Sequence, residues 1–322
     1  MAPASHTPIQ TELHRHIDVS VRMGTLLELA QTQGLEGQST SLAAFSEKVY
    51  LREPLQDLPS VLARFQLFQK VLKTPEILER VGFEASEDCW QEGTRRVEFR
   101  FSPGFVCEWS GLQWETALES FDRGIRRAKA QYPGLEAGLL LIASRDYGPD
   151  AAEKTIDLAL KRRDLVLGVD LAGNEVDFPT RLFSQAFQRA YREGLKITIH
   201  AGESTGPEEI WLAIEELKAR RIGHGIRAIQ DQALQDRLRK DGICLEICPT
   251  SNYLTQCIPS IEAHPLPQLL RAGVPVCINT DDPGVFPVTL PSEMELARTR
   301  LGLTETEIQA CLGFAEKFSF FT

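Results

Sequence analysis

The sequence is short of positive charge. Its 35 Lys and Arg face 45 Asp and Glu, a formal net charge of −10 over 322 residues. A surface this acidic repels phosphate backbones and anionic bilayers. Neither nucleic acid nor membrane is therefore an expected partner, and the substrate should be neutral or small. No run is apolar for long enough to cross a bilayer. The opening MAPASHTPIQ is polar and proline-bearing and does not read as a secretion signal. Seven cysteines are present, an odd number without a CxxC pair. Cys244, Cys248 and Cys277 lie inside apolar runs, where a free thiol behaves as a small buried hydrophobe. This argues against a disulfide framework and makes the reducing cytoplasm the expected compartment. Internal repeats, low-complexity tracts and linkers are also missing, so residues 1–322 are expected to form one domain.

What the chain has is alternation. Short runs rich in β-formers occur at 11–17, 96–101, 137–142, 165–171, 195–199, 221–222, 243–247 and 274–278, separated by amphipathic stretches. Eight such units predict an α/β fold in which a parallel sheet closes into a (β/α)8 TIM barrel. Helical patterns stand out at 183–193 and 207–220. Pro207 ahead of Glu208 and Glu209 marks a helix start, and Gly194 and Gly273 fall where helices should end. Residues 18–95 are too many for one crossover helix, which predicts an inserted helical segment after the first strand. Within it, 57–65 (DLPSVLARF) reads as a capped helix near the barrel mouth.

Titratable residues gather at the ends of these runs, where a β/α barrel builds its active site. His14 and His16 are two apart on a strand, so their side chains share a face and can grip one metal ion. His200 ends the fifth run and Glu203 follows within a turn; His224, flanked by Gly223 and Gly225, ends the sixth; Asp281 and Asp282 follow the eighth. Each has an ordinary explanation alone: a satisfied core histidine, a turn residue, or a helix cap before Pro283. Together they place four of six histidines and a carboxylate pair on one barrel face. Three imidazoles and a carboxylate form a zinc set that leaves room for water. His6 and His264 fall outside this pattern and are given no part.

With these motifs in place, the chain resembles the adenosine deaminase family of the amidohydrolase superfamily, from about Glu12 to the C-terminus. The matching segments are ELHRHID at 12–18, DLP at 57–59 with Arg64 and Phe65, VEFRFSP at 97–103, DLAGNE at 170–175, HAGE at 200–203, RIGHG at 221–225, CPTSN at 248–252 and TDDP at 280–283. The resemblance implies one zinc ion per chain held by His14, His16, His200 and Asp281. It implies that Glu203 donates a proton to the purine ring and that His224 orients or deprotonates the attacking water. Substrate contacts are implied for His16, Asp18, Gly173 and Asp282. One departure stands out: Val19 follows Asp18, where the family commonly has glycine. A β-branched residue there restricts the backbone and bears on the sugar end of the substrate.

The implied reaction is hydrolytic deamination of adenosine or 2′-deoxyadenosine to inosine or 2′-deoxyinosine plus ammonia, in purine salvage. Adenine or another aminopurine is the alternative. Asp18 favours a nucleoside, because relatives acting on adenine tend to carry glutamate there. AMP is disfavoured because no cluster of Arg and Lys suited to a phosphate stands near the motifs, with Arg22, after the first motif, the one candidate exception. A two-metal amidohydrolase is disfavoured because the run 165–170 has no lysine to bridge the ions. A non-catalytic relative would not need the complete ligand set.

Overall fold

The computed structural model describes residues 10–54 and 58–321, with the backbone alone for 58–63. His6 and Asp57 lie outside the described residues. The eight strands are β1 (Thr11–His16), β2 (Arg96–Phe101), β3 (Glu136–Ser144), β4 (Val166–Ala172), β5 (Thr198–Ala201), β6 (Arg221–His224), β7 (Cys244–Ile247) and β8 (Val276–Ile278). Neighbours run parallel in two four-stranded sheets, β1 to β4 and β5 to β8. Two parallel bridges join the sheets, Val169 to Ile197 and Arg15 to Asp281. At the second seam His16 donates its amide to Asp281 O at 2.9 Å and Asp281 donates to His14 O at 3.0 Å. The sheet is thus a closed eight-stranded barrel, with helices on the connections, as the alternating pattern predicts.

The strands run further toward the site than their apolar runs suggest. β5 ends at Ala201 rather than 199, β6 at His224 rather than 222, and β3 at Ser144 rather than 142. The reason is that these strands carry polar residues at their C-terminal ends, and an apolar-run criterion stops just short of them. The insert holds four helices, Met23–Thr32, Leu42–Val49, Leu58–Val71 and Pro75–Gln91. From the third, Gln69 Nε2 donates to Phe105 O at 3.0 Å and to Glu108 Oε2 at 2.6 Å, which ties it to the helix Pro103–Ser110 that follows β2. This helix therefore sits at the barrel mouth. The helix starting at Pro207 ends at Glu215, short of 220. Past the cap at Glu216, Lys218 turns the chain with φ 62°, a left-handed residue without the glycine that would have signalled it.

The barrel interior is charged rather than purely apolar. Glu98, Arg100, Asp170, Arg221 and Glu246 are all 0% exposed. Arg221 bridges Glu98 at 2.7 Å and Glu246 at 2.6 Å; Arg100 bridges Glu246 and Asp170, both at 2.8 Å. Glu98 also accepts from Ser319 Oγ at 2.8 Å and from the Phe320 amide, so the C-terminal segment seals the far end of the barrel. Buried charges survive only when paired and hydrogen-bonded, and here each has partners on other strands. All seven cysteines are buried and free.

Candidate active site

Four strand ends converge on one point. The ligand atoms of His14, His16, His200 and Asp281 all lie within 4.8 Å of one another. Asp281 Oδ1 is 3.1 Å from His14 Nε2 and 3.2 Å from His16 Nε2. The other nitrogen of His14, Nδ1, meets Glu246 Oε2 at 2.9 Å. A carboxylate only accepts, so Nδ1 carries the proton and Nε2 presents its lone pair to the cluster. His200 is held in the same way, with Nδ1 3.1 Å from Asp170 Oδ1.

His14 Nε2 and Asp281 Oδ1 are buried and have no hydrogen-bond partner among the described residues. Two acceptors facing each other at 3.1 Å repel unless a cation joins them. Protonation does not relieve this, since burial and then the Arg100 charge lower the His14 pKa. Burial likewise takes His200 down to about 3. Burial alone would raise Asp281, but His14 and His224 hold its carboxyl well below the usual range. Burial works against the charged form of His16 too, but the Asp282 and Asp281 carboxylates lift its pKa to about 9, a proton that a bound cation would displace. Three imidazoles and an ionised carboxylate are the donor set of a borderline divalent metal, and the residues fit one.

The backbone is bent to make this cluster. His224 has φ 58° and Asp281 φ 69°, a left-handed region that residues other than glycine seldom enter. Such strain tends to collect at functional sites. A Cβ on Gly223 would stand 3.1 Å from both His14 Cε1 and His200 Cγ, so the glycine makes room for two imidazoles.

Beside the cluster lies an acid. Glu203 Oε2 is 3.5 Å from His224 Nε2, which in turn is 3.7 Å from Asp281 Oδ2. Burial raises the Glu203 pKa, although 23% of its side chain remains open to a substrate. The loop around it is pinned by Glu175, whose carboxylate accepts from the amides of Gly202 at 2.5 Å, Ser204 at 3.0 Å and Thr205 at 3.1 Å. Asp18 sits on the 3-10 turn Ile17–Val19 and accepts from the Ser102 amide at 3.2 Å. Burial lifts Asp18 to about 6 against the pull of His16. Asp282 is pushed well above the carboxylate range by burial and then by the Asp281 charge. Gly173 follows β4 with φ 103°, and a Cβ there would lie 2.2 Å from Asp146 Oδ2. The candidate residues His14, His16, Asp18, Gly173, His200, Glu203, His224, Asp281 and Asp282 thus lie at the C-terminal mouth or on the loops that frame it.

A family model described as adenosine deaminase matches residues 9–322. The chain belongs to the adenosine deaminase family. An adenosine deaminase of Erwinia tasmaniensis is 38% identical over 310 residues, covering 96% of this chain and 93% of the relative. The crystal structure of an adenine deaminase from Arthrobacter aurescens superposes with a TM-score of 0.88 at 27% identity, covering 97% of this chain and 94% of that one. An amidohydrolase of Burkholderia ambifaria with bound Zn gives 0.87 at 25% identity, covering 98% and 86%. The chain is a hydrolytic deaminase of this metal-dependent family, and its His and Asp cluster is a group that could hold a metal ion.

Several residues that shape the deaminase site carry no role in the sequence reading. Glu246 and Asp170 orient His14 and His200 from neighbouring strands. Ser251 Oγ donates to Asp281 Oδ2 at 2.7 Å. Asn279 Oδ1 accepts from the Leu13 amide at 2.8 Å, and Glu12 accepts from the Thr280 amide at 2.9 Å, holding the β1–β8 seam. A usable signal was present: Asp170 and Glu246 are single charges inside otherwise apolar strands, and Glu98 and Arg100 alternate with apolar residues along β2. His264 is buried and bonded to Asn252 at 3.2 Å, although nothing in its local sequence marks it.

Proposed function

We propose that the chain is a zinc-dependent deaminase of adenosine and 2′-deoxyadenosine, releasing inosine or 2′-deoxyinosine and ammonia. The observation that carries this reading is the convergence of three imidazoles and one carboxylate within 4.8 Å, with an acid beside them. The assigned ligands are His14, His16, His200 and Asp281. A zinc ion there lowers the pKa of a water molecule to about 7 and so supplies a nucleophile at neutral pH.

The remaining roles fall to the chain's own groups. Glu203, whose pKa is raised by burial, donates its proton to the ring nitrogen next to the amino-bearing carbon. That drains electron density from the carbon and opens it to attack by water. His224 stands over the attacking side, near both Glu203 and Asp281. The water oxygen forms the new C–O bond, the C–N bond breaks, and the amine leaves as ammonia. Asp282, whose carboxyl is pushed upward by burial and then by the Asp281 charge, is assigned to another purine nitrogen, as is the backbone of Gly173. Asp18, at the mouth, is assigned to a ribose hydroxyl.

Arg22 supports a nucleoside over a nucleotide. Its guanidinium is already engaged, with Nε 2.8 Å from Asp88 Oδ1 and Nη2 2.6 Å from Glu87 Oε2, which leaves it a poor phosphate ligand. Val19 is 2% exposed and packs in the apolar core while its carbonyl accepts from the Gly284 amide at 2.9 Å. The departure from glycine therefore acts on the backbone beneath the site more than on open space.

The test is a panel of adenosine, 2′-deoxyadenosine, adenine, N6-substituted adenosines and AMP, followed by the purine absorbance change and by ammonia release. Each is run with and without a chelator, and the purified protein is analysed for metal. Fast, chelator-sensitive turnover of the two nucleosides with zinc bound supports the reading. Preference for adenine or AMP transfers the assignment to that substrate, and no turnover of any member overturns it.

A further inference from the structure

A buried chain of hydrogen bonds reaches His224 from a loop beyond the metal cluster. The Leu266 amide donates to His264 Nδ1 at 3.0 Å. An amide N–H can only donate, so His264 Nδ1 accepts and the ring's single proton sits on Nε2. Nε2 is 3.2 Å from Asn252 Oδ1, and Asn252 Nδ2 is 3.0 Å from His224 Nδ1. The direction therefore propagates without a choice. His264 donates to the Asn252 carbonyl, the Asn252 amide donates to His224 Nδ1, and His224 is left with its proton on Nε2. Turning the Asn252 amide round would set its NH2 against the His264 N–H, donor to donor. His264, Asn252 and His224 are at most 1% exposed, so water does not offer them an alternative partner. Burial keeps His264 neutral, with its pKa taken down to about 3.

We propose that His264 and Asn252 are positioning residues that lock His224 as its Nε2–H tautomer, so that His224 serves the reaction as a hydrogen-bond donor and not as the base that deprotonates water. The second half rests on the deaminase reading above; the first half stands on the hydrogen-bond directions. In this tautomer Nε2 has no lone pair to receive a proton. His224 keeps its N–H throughout, aimed at the region between Glu203 Oε2 and Asp281 Oδ2, and the proton leaving the water passes to a carboxylate. The histidine then stabilises negative charge on the attacking oxygen, a function that preorganised donors perform at large effect.

The decisive variant is Asn252→Asp. A carboxylate of the same shape accepts from both neighbours, which forces the His224 proton onto Nδ1 and turns Nε2 into an acceptor. The tautomer is read by two-bond 15N–1H correlation of ring signals in 15N-histidine-labelled full-length protein, with and without added zinc. His224 is assigned from its missing signal in His224→Gln. The expected result is Nε2–H in the wild type and Nδ1–H in Asn252→Asp, with zinc content unchanged and kcat down about 10²–10³-fold at similar KM. His264→Ala should also lower kcat, and His264→Gln, which can restore an N–H to Asn252, should recover part of it. A wild-type His224 protonated at Nδ1 overturns the proposal, and this spectrum decides even if a variant fails to fold. An Nε2–H signal in a protein that turns over no aminopurine would sink the functional reading while leaving the tautomer lock intact. Full activity in a refolded Asn252→Asp protein with a switched tautomer would sink the donor role.

Discussion

Glu246 Oε2 stands 2.9 Å from His14 Nδ1, with neither side chain exposed. The pair joins β7 to β1 across the barrel and fixes which His14 nitrogen faces Asp281 and the rest of the His and Asp cluster. The same carboxylate neutralises Arg100 at 2.8 Å and Arg221 at 2.6 Å. Burial works against its charge, but Arg100 and Arg221 hold the Glu246 carboxyl well below the usual range. One residue thus orients a ligand and balances the barrel interior.

Glu246→Gln should expose both duties. The amide can still meet His14 but no longer balances two buried guanidinium groups. Loss of the partner of a buried charge costs about 3–5 kcal/mol, and loss of a ligand's orienting partner lowers metal affinity about 10–100-fold. Urea unfolding and zinc competition with a chromophoric chelator measure the two effects. A variant with normal stability and normal affinity would show that the network is dispensable.

Asp281 and Asp282 should separate cleanly. Asp281 faces His14 and His16 at 3.1 and 3.2 Å, whereas Asp282 is held well above the carboxylate range by burial and by its neighbour's charge. Asp281→Ala is therefore expected to lose bound metal on dialysis. Asp282→Ala should keep it and lose substrate affinity, seen as a raised KM. Metal loss in the second variant alone would reverse the two assignments.

The barrel was legible because its strands are apolar runs at regular spacing, and the site because its histidines end those runs. His14, His16, His200, His224 and the Asp281–Asp282 pair could be grouped from the sequence alone, since the period-2 rule and the barrel rule put them on one face, while the choice of ligands among them came from the family resemblance. The residues that aim them were not legible. Glu246 meets His14 across 232 positions of sequence, and His264 reaches His224 only through Asn252. Such partners are set by strand order and loop path, which local pattern does not encode. The left-handed turn at Lys218 escaped for the opposite reason: it is local, but built without glycine.

Glu203→Gln should retain the metal and lose about 10²–10⁴-fold in kcat, the range for removal of a positioned general acid. Burial raises the Glu203 pKa, so the wild type holds its proton to higher pH than a free carboxylic acid does. Turnover of the wild type should fall as pH rises through that raised value, and the residual rate of the variant should lack this limb. Bound zinc and a kcat–pH profile test the two statements separately. Near-normal turnover by the variant removes Glu203 from the reaction.

His264 ties stability to pH. Burial is the first cause that takes its pKa down to about 3, from 6.5 in an unfolded chain. Between these two values the unfolded chain binds a proton that the folded one refuses. Stability therefore falls as pH drops from 6.5 toward 3, and rises with pH across that window. One proton corresponds to a slope of about 1.4 kcal/mol per pH unit where the difference is complete. His264→Gln cannot take up this proton in either state. Urea midpoints of the wild type and the variant, measured from pH 7 down to pH 4.5 in the zinc-loaded form, should converge as pH falls, because the wild type alone loses this contribution. Parallel curves across the window would mean that His264 charges as readily inside the fold as outside it. The Leu266 amide, which needs an unprotonated Nδ1 to donate to, forbids that.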